Sequence, residues 1–147
     1  MSIRRYRADD FDSCLEIFEG NTPKFFDQNE RDDFRRYLET LSDPYFVFEQ
    51  DGQVVGAGGY CQGPKEIGLA WGMVRRDLHG QGIGSALVRY RLERIAQDHP
   101  DQAVVIDTSQ HTCPFYEKMG FETQSVKEDG YGPGLHMVLM RRPLALA

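Results

Sequence analysis

Residues 80 to 85 read Gly80-Gln81-Gly82-Ile83-Gly84-Ser85, three glycines at alternate positions. Glycine lets a backbone turn sharply and approach a ligand closely, and the first N–H groups of a following helix have no intrahelical partners. A turn of this kind suits a phosphate, which those donors and the helix dipole both favour. The dinucleotide pattern GxGxxG fails, because its third glycine falls on Ser85 or, one register later, on Leu87, and no GK[ST] is present for a P-loop. The chain carries 17 Lys and Arg against 23 Asp and Glu, a net −6, yet residues 75 to 95 carry +3. An anion would therefore be held locally. His79, His99, His111 and His136 are scattered, with no HxxxH or HExxH spacing, and Cys14, Cys61 and Cys113 form no CxxC. These patterns predict neither a metal site nor a disulfide framework. His111 and Cys113 lack a third group to orient them as a nucleophilic pair.

The elements that must hold this turn can be read from periodicity. Residues 3 to 7 suit a short strand, and Asp9, Asp10 and Asp12 open a helix whose apolar stripe is Phe11, Cys14, Leu15, Ile17 and Phe18. Gly20-Asn21-Thr22-Pro23 stops it, and a second helix is expected from about Asn29 to Leu41. YFVFEQ and QVVGAGGYCQ around Asp51-Gly52 read as an antiparallel hairpin, and EIGLAWGMV as a central strand. Strict alternation along that strand puts Glu66, Gly68, Ala70 and Gly72 on one face and Ile67, Leu69, Trp71 and Met73 on the other. The glycine turn then leads into a long helix with Ile83, Leu87, Val88, Leu92 and Ile95 inward. AVVID is a buried strand, Pro114 to Lys118 a short helix, SVKEDGYGPG a loop and HMVLMRRPL the last strand. The order β-α-α-β-β-β-α-β-α-β predicts one α+β domain over residues 1 to 147.

The acidic balance argues against nucleic acid or an anionic membrane as partner. No apolar run approaches the roughly 20 residues a bilayer crossing needs, and SIRRYR after Met1 lacks the apolar core of a signal peptide. The expectation is a soluble, cytoplasmic protein.

VRRDLHGQGIGSAL, followed some 30 residues later by FYEKMGF, resembles the GNAT N-acetyltransferase superfamily. The resemblance implies a central mixed, mostly antiparallel sheet flanked by helices, acetyl-CoA as co-substrate without a metal, and homodimers as a frequent assembly. It implies that backbone amides from Gly80 to Ser85 cradle the pyrophosphate, that Met73 and Val74 pair with the pantetheine arm, and that a nearby backbone N–H receives the developing oxyanion. His79 stands where the family commonly has Arg or Gln, so it is either a phosphate donor or a surface residue. Ser109 stands where many relatives bind pantetheine through Asn. Tyr116 resembles the tyrosine that protonates the CoA sulfur, the alternative being a core packing role beside Phe115 and Phe121. Glu66, the one acidic residue on its strand, is the side-chain candidate for the base, against a solvated strand-end residue or a water chain. The acceptor pocket would use Phe25, Phe26, Tyr45, Trp71 and Tyr131. Up to Glu49 twelve acidic residues face seven basic ones, which mildly favours a cationic amine, either a small molecule or a peptide. A non-catalytic acyl-CoA-binding regulatory module is the alternative function, and an unrelated nucleotide-binding protein a third.

Overall fold

The computed structural model describes residues 2–143. Its strands are β1 (Ser2–Arg5), β2 (Tyr45–Gln50), β3 (Gln53–Gln62), β4 (Glu66–Val74), β5 (Ala103–Thr108), β6 (Glu122–Gly132) and β7 (Leu135–Arg142). The helices are α1 (Phe11–Gly20), α2 (Arg31–Glu39), α3 (Ile83–Asp98) and α4 (Cys113–Lys118). One seven-stranded sheet runs β1-β2-β3-β4-β5-β7-β6, antiparallel except where β4 lies parallel to β5. This is the mixed α+β architecture expected, with one strand more. The stretch read as a loop is β6, an edge strand whose residues from Glu122 to Asp129 are all exposed. With neither face buried, nothing imprints alternation on its sequence.

The two faces of the sheet carry different cores. Phe46, Tyr60, Ile67, Leu69, Val88 and Ile95 pack on the α3 side, continued by Phe48, Val55, Ile83 and Leu87. Cys14, Phe18, Phe34, Leu38, Tyr45, Val47, Ala57 and Met73 pack on the α1 and α2 side. The amphipathic stripes of the helices supply both, as periodicity predicted.

Strand β4 departs from strict alternation. Gly59 pairs with Ala70 but Ala57 with Met73, so β4 holds one extra residue between them. Trp71 takes the strain of this bulge at φ +49°, uncommon for a residue with a large side chain. Ile67 and Leu69 face α3, whereas Trp71 and Met73 join the α1/α2 core. The expected common face for all four is thereby corrected. The Tyr45 hydroxyl donates to the Trp71 carbonyl at 2.9 Å and braces the bulge from below.

Candidate active site

Strands β4 and β5 pair only from Glu66 to Gly68 and Ala103 to Val105, after which β5 continues against β7. Beyond that fork the strands part, and a cavity of about 780 Å³ opens between Leu69–Val74 on one side and Ile106–Thr108 on the other. Its remaining walls come from the start of α3, from α4, from the loop after α1 and from Tyr131 of β6.

The glycine turn forms one wall. Gly80 and Gly82 have φ of +81° and +87°, and a Cβ at either would meet nothing within 4 Å, so the backbone there is left-handed and open. Only glycine takes that geometry without strain. Gly82 caps α3, and its carbonyl takes the Ala86 N–H at 3.0 Å, leaving the first-turn N–H groups unpaired within the helix. Gly84 serves packing instead: its missing Cβ would stand 3.5 Å from the Phe115 ring of α4. Ser85 also lines the cavity, Gln81 does not, and the Ile83 side chain is buried in the α3 core. Of the arginines behind the local +3, Arg75 pairs with Asp77 at 2.7 Å, Arg91 is buried, and Arg94 lies over Phe46 and Tyr90. Arg89 is exposed on α3, and Arg76 stands beside the turn, 5.0 Å from the Phe25 ring centroid.

Met73, Val74 and His79 line the cavity. The Val74 carbonyl meets the Asn21 amide nitrogen at 2.9 Å and His79 Nε2 at 2.8 Å. A carbonyl only accepts, so His79 donates from Nε2, and that nitrogen is taken up within the chain. Ser109 is buried, and its hydroxyl receives the His111 N–H at 3.3 Å and lies 3.5 Å from the Thr112 hydroxyl, shaping the turn into α4.

Tyr116 lies in α4, 5% exposed, with its ring edge-on to Phe115 and Phe121. It both packs in the core and reaches the cavity floor, where its hydroxyl stands 3.5 Å from the point a Gly72 Cβ would occupy. Burial pushes the phenol above its ordinary pKa, while the positive charge of Arg91 acts in the opposite sense.

On the α1 and α2 side of the cavity, the Trp71 ring lies tilted against Phe26 at 6.2 Å and Phe34 at 5.0 Å between centroids, and Phe25 lies edge-on to His79 and His111. Phe25, Phe26, Trp71 and Tyr131 all line the cavity. Tyr45 does not: it is buried beneath Trp71, a brace rather than a pocket wall. Glu66 is also withdrawn from the site. It opens β4 at the closed end of the fork and pairs with Arg141 at 2.8 Å, outside the cavity lining.

The cavity instead contains two carboxylates that the spacing did not single out, Glu30 and Asp107. Burial raises Glu30 above the usual carboxylate range against the lowering effect of the Asp27 N–H, and partial desolvation raises Asp107, which stays exposed at the cavity edge. Glu30 was hidden in a polar helix start, where it closes a capping box with Asp27. Asp107 was visible only as the last residue of a β-branched run.

A forked sheet, a positive-φ glycine turn on one arm and a tyrosine at the fork together wall one cleft. Comparison with known proteins names the class. The GNAT acetyltransferase domain model matches residues 14–144. An acetyltransferase of Pectobacterium atrosepticum is 32% identical over 135 residues, covering 84% of this chain and 89% of that protein. Among solved structures, the ribosomal-protein-S18-alanine N-acetyltransferase of Escherichia coli superposes with a TM-score of 0.82 at 16% identity, covering 99% and 95% of the two chains. An aminoglycoside 6'-N-acetyltransferase complexed with coenzyme A superposes at 0.78 and 15% identity, covering 100% and 99%. The chain belongs to the GNAT family and is an acetyl-CoA-dependent N-acetyltransferase.

Proposed function

We propose that the protein transfers the acetyl group of acetyl-CoA directly to a primary amine of a small molecule or peptide, with both substrates bound together and Tyr116 as general acid. The observation that carries this reading is the Tyr116 hydroxyl at the cavity floor beside Gly72, in the same cavity that the glycine turn walls. When bound, acetyl-CoA supplies a thioester carbonyl open to attack. Amides from Gly80 to Ser85 hold the pyrophosphate, and the free edge of β4 at Met73 and Val74 takes the pantetheine arm and offers an N–H to the developing oxyanion. Because Asn21 and His79 already occupy the Val74 carbonyl, pairing through that oxygen requires one of them to yield. The Ser109 hydroxyl is a further pantetheine contact.

The acceptor side joins the aromatic faces of Trp71 and Phe26 to the carboxylates of Glu30 and Asp107, a combination that favours a cation. With Glu66 paired elsewhere, these two carboxylates are the proton acceptors for the attacking ammonium, directly or through water. Their raised pKa values bring them nearer to neutral pH, where a base works best. Free thiols at Cys14, Cys61 and Cys113 support a reducing, cytoplasmic setting.

Replacing Tyr116 by Phe tests the assignment. Release of CoA thiol across a panel of amines is expected to fall about 10²–10⁴-fold in kcat, the range of general-acid catalysis, while the acetyl-CoA Kd changes little. Undiminished kcat refutes the role.

A further inference from the structure

Helix α3 sends one charged side chain into the sheet. Arg91 is 1% exposed and ranks among the largest fully buried side chains. Burying a guanidinium costs several kcal/mol unless charge and hydrogen bonds compensate. No carboxylate among the described residues forms an ion pair with it. Its Nε donates to the Leu87 carbonyl at 3.2 Å and its Nη1 to the Gly59 carbonyl at 3.1 Å. That leaves Nη2, which faces the cavity end of the fork: a Cβ on Gly72 would lie 3.1 Å from it and 3.5 Å from the Tyr116 hydroxyl.

Two glycines make this position available. A Cβ on Gly58 would stand 2.8 Å from Arg91 Cζ, and Gly72 is nearly as tight. Both sit beside the bulge, in a strand pair where larger side chains would otherwise fill the core. The sheet is thus hollowed around a guanidinium that lines the cavity next to the proposed acid.

We propose that Arg91 is a positioning residue for acetyl transfer, holding the Tyr116 hydroxyl at the cavity and balancing the negative charge that the phenol acquires when it gives up its proton. The inference rests on the reading of Tyr116 as general acid. In the step concerned, the neutral amine nitrogen bonds to the acetyl carbon and gives up a proton to a cavity carboxylate or water, the C–S bond breaks with its electron pair on sulfur, and the sulfur takes the Tyr116 proton. The tyrosinate left behind is buried, where an isolated anion is costly, and Arg91 is the cation beside it. Solvent then returns a proton to the phenol. Arg91 therefore counters the burial that makes Tyr116 a reluctant donor.

A double-mutant cycle tests this. Arg91→Met keeps bulk and removes the charge; its kcat is expected to fall about 10–100-fold, part of the range for general-acid catalysis, with acetyl-CoA Kd within about threefold of wild type. Combined with Tyr116→Phe, the same change is expected to lower kcat by less than about threefold further, because residues acting through one another are not additive. Arg91→Lys retains the charge without the planar fork and should fall between wild type and Arg91→Met. Should Arg91→Met fail to fold, Arg91→Lys takes its place in the cycle. Full additivity overturns the inference, since a packing role or a separate substrate contact would cost as much without Tyr116 as with it. A Tyr116→Phe enzyme of unchanged kcat instead refutes the parent assignment, so the two failures are distinct.

Discussion

Asn21 ends α1 and is 2% exposed, with its side-chain amide donating to the Ile17 carbonyl at 2.8 Å and to the Val74 carbonyl at 2.9 Å. It ties the helix end to the last residue of β4, across the root of the loop that carries Phe25 and Phe26. Asn21→Ala deletes both hydrogen bonds, each with a net worth of about 1 kcal/mol. Ile17 loses a buried partner, whereas Val74 keeps His79. The loss sums to about 2 kcal/mol, which for a chain of this size lowers Tm by about 4–8 °C. Urea unfolding should show a lower midpoint at unchanged m, the mark of lost stability without a changed unfolded state. Pairing the change with His79→Ala sharpens the test: the double variant orphans the Val74 carbonyl and should lose more than the two single variants together. A destabilisation below about 0.5 kcal/mol for Asn21→Ala, or strict additivity with His79→Ala, refutes the assignment of the Val74 carbonyl as an acceptor shared by the two side chains.

Glu66→Gln should leave kcat within about twofold of wild type and cost at most about 1 kcal/mol in a denaturant titration, the worth of a half-exposed ion pair. A tenfold loss of kcat would return Glu66 to the reaction. Asp10 is buried against Arg4, whose guanidinium meets it at 2.8 and 2.9 Å and holds its carboxyl below the usual range. Its folded pKa being depressed, the stabilisation is present above the unfolded carboxyl pKa of about 3.9 and is lost as pH falls through the folded value. Thermal melts of wild type and Asp10→Asn should therefore keep a constant separation down to about pH 5 and converge below about pH 4, and curves that stay parallel there would contradict the pairing.

The strand, glycine turn and helix that build the donor wall are legible in residues 66 to 98 because glycine spacing and burial both leave a mark there. Tyr116 stands out only through the resemblance carried by FYEKMGF, since its residue type and spacing suit a core position beside Phe115 and Phe121 equally well. What escaped notice shares a different physics. Strand β6 buries neither face and so carries no pattern. The bulge at Trp71 depends on a backbone angle that side-chain alternation does not encode, and its consequence was to misplace Trp71 and Met73. Tyr45 and Glu66 have residue types suited to a site, yet their partners, the Trp71 carbonyl and Arg141, are 26 and 75 residues away. Arg91 did leave a signal: it stands four residues after Leu87 and three after Val88, on the inward stripe of α3, where a charge has no ordinary place. Within residues 75 to 95 it counted only as part of the local positive charge, and its closeness to Gly58 and Gly72 is a fact of the folded chain.

The extra residue in β4 makes the site a matter of parity. Up to Leu69 odd-numbered side chains belong to the core under α3; from Trp71 onward they belong to the core under α1 and α2. Removing Gly72 would restore regular pairing, leave Met73 opposite Ala57 on its present face, and turn the Trp71 side chain into the space that Gly72 now leaves for Arg91 and Tyr116. Length in this segment is thus as much a functional variable as composition, and a chain that keeps every named side chain but changes that count by one would keep the parts and lose their arrangement.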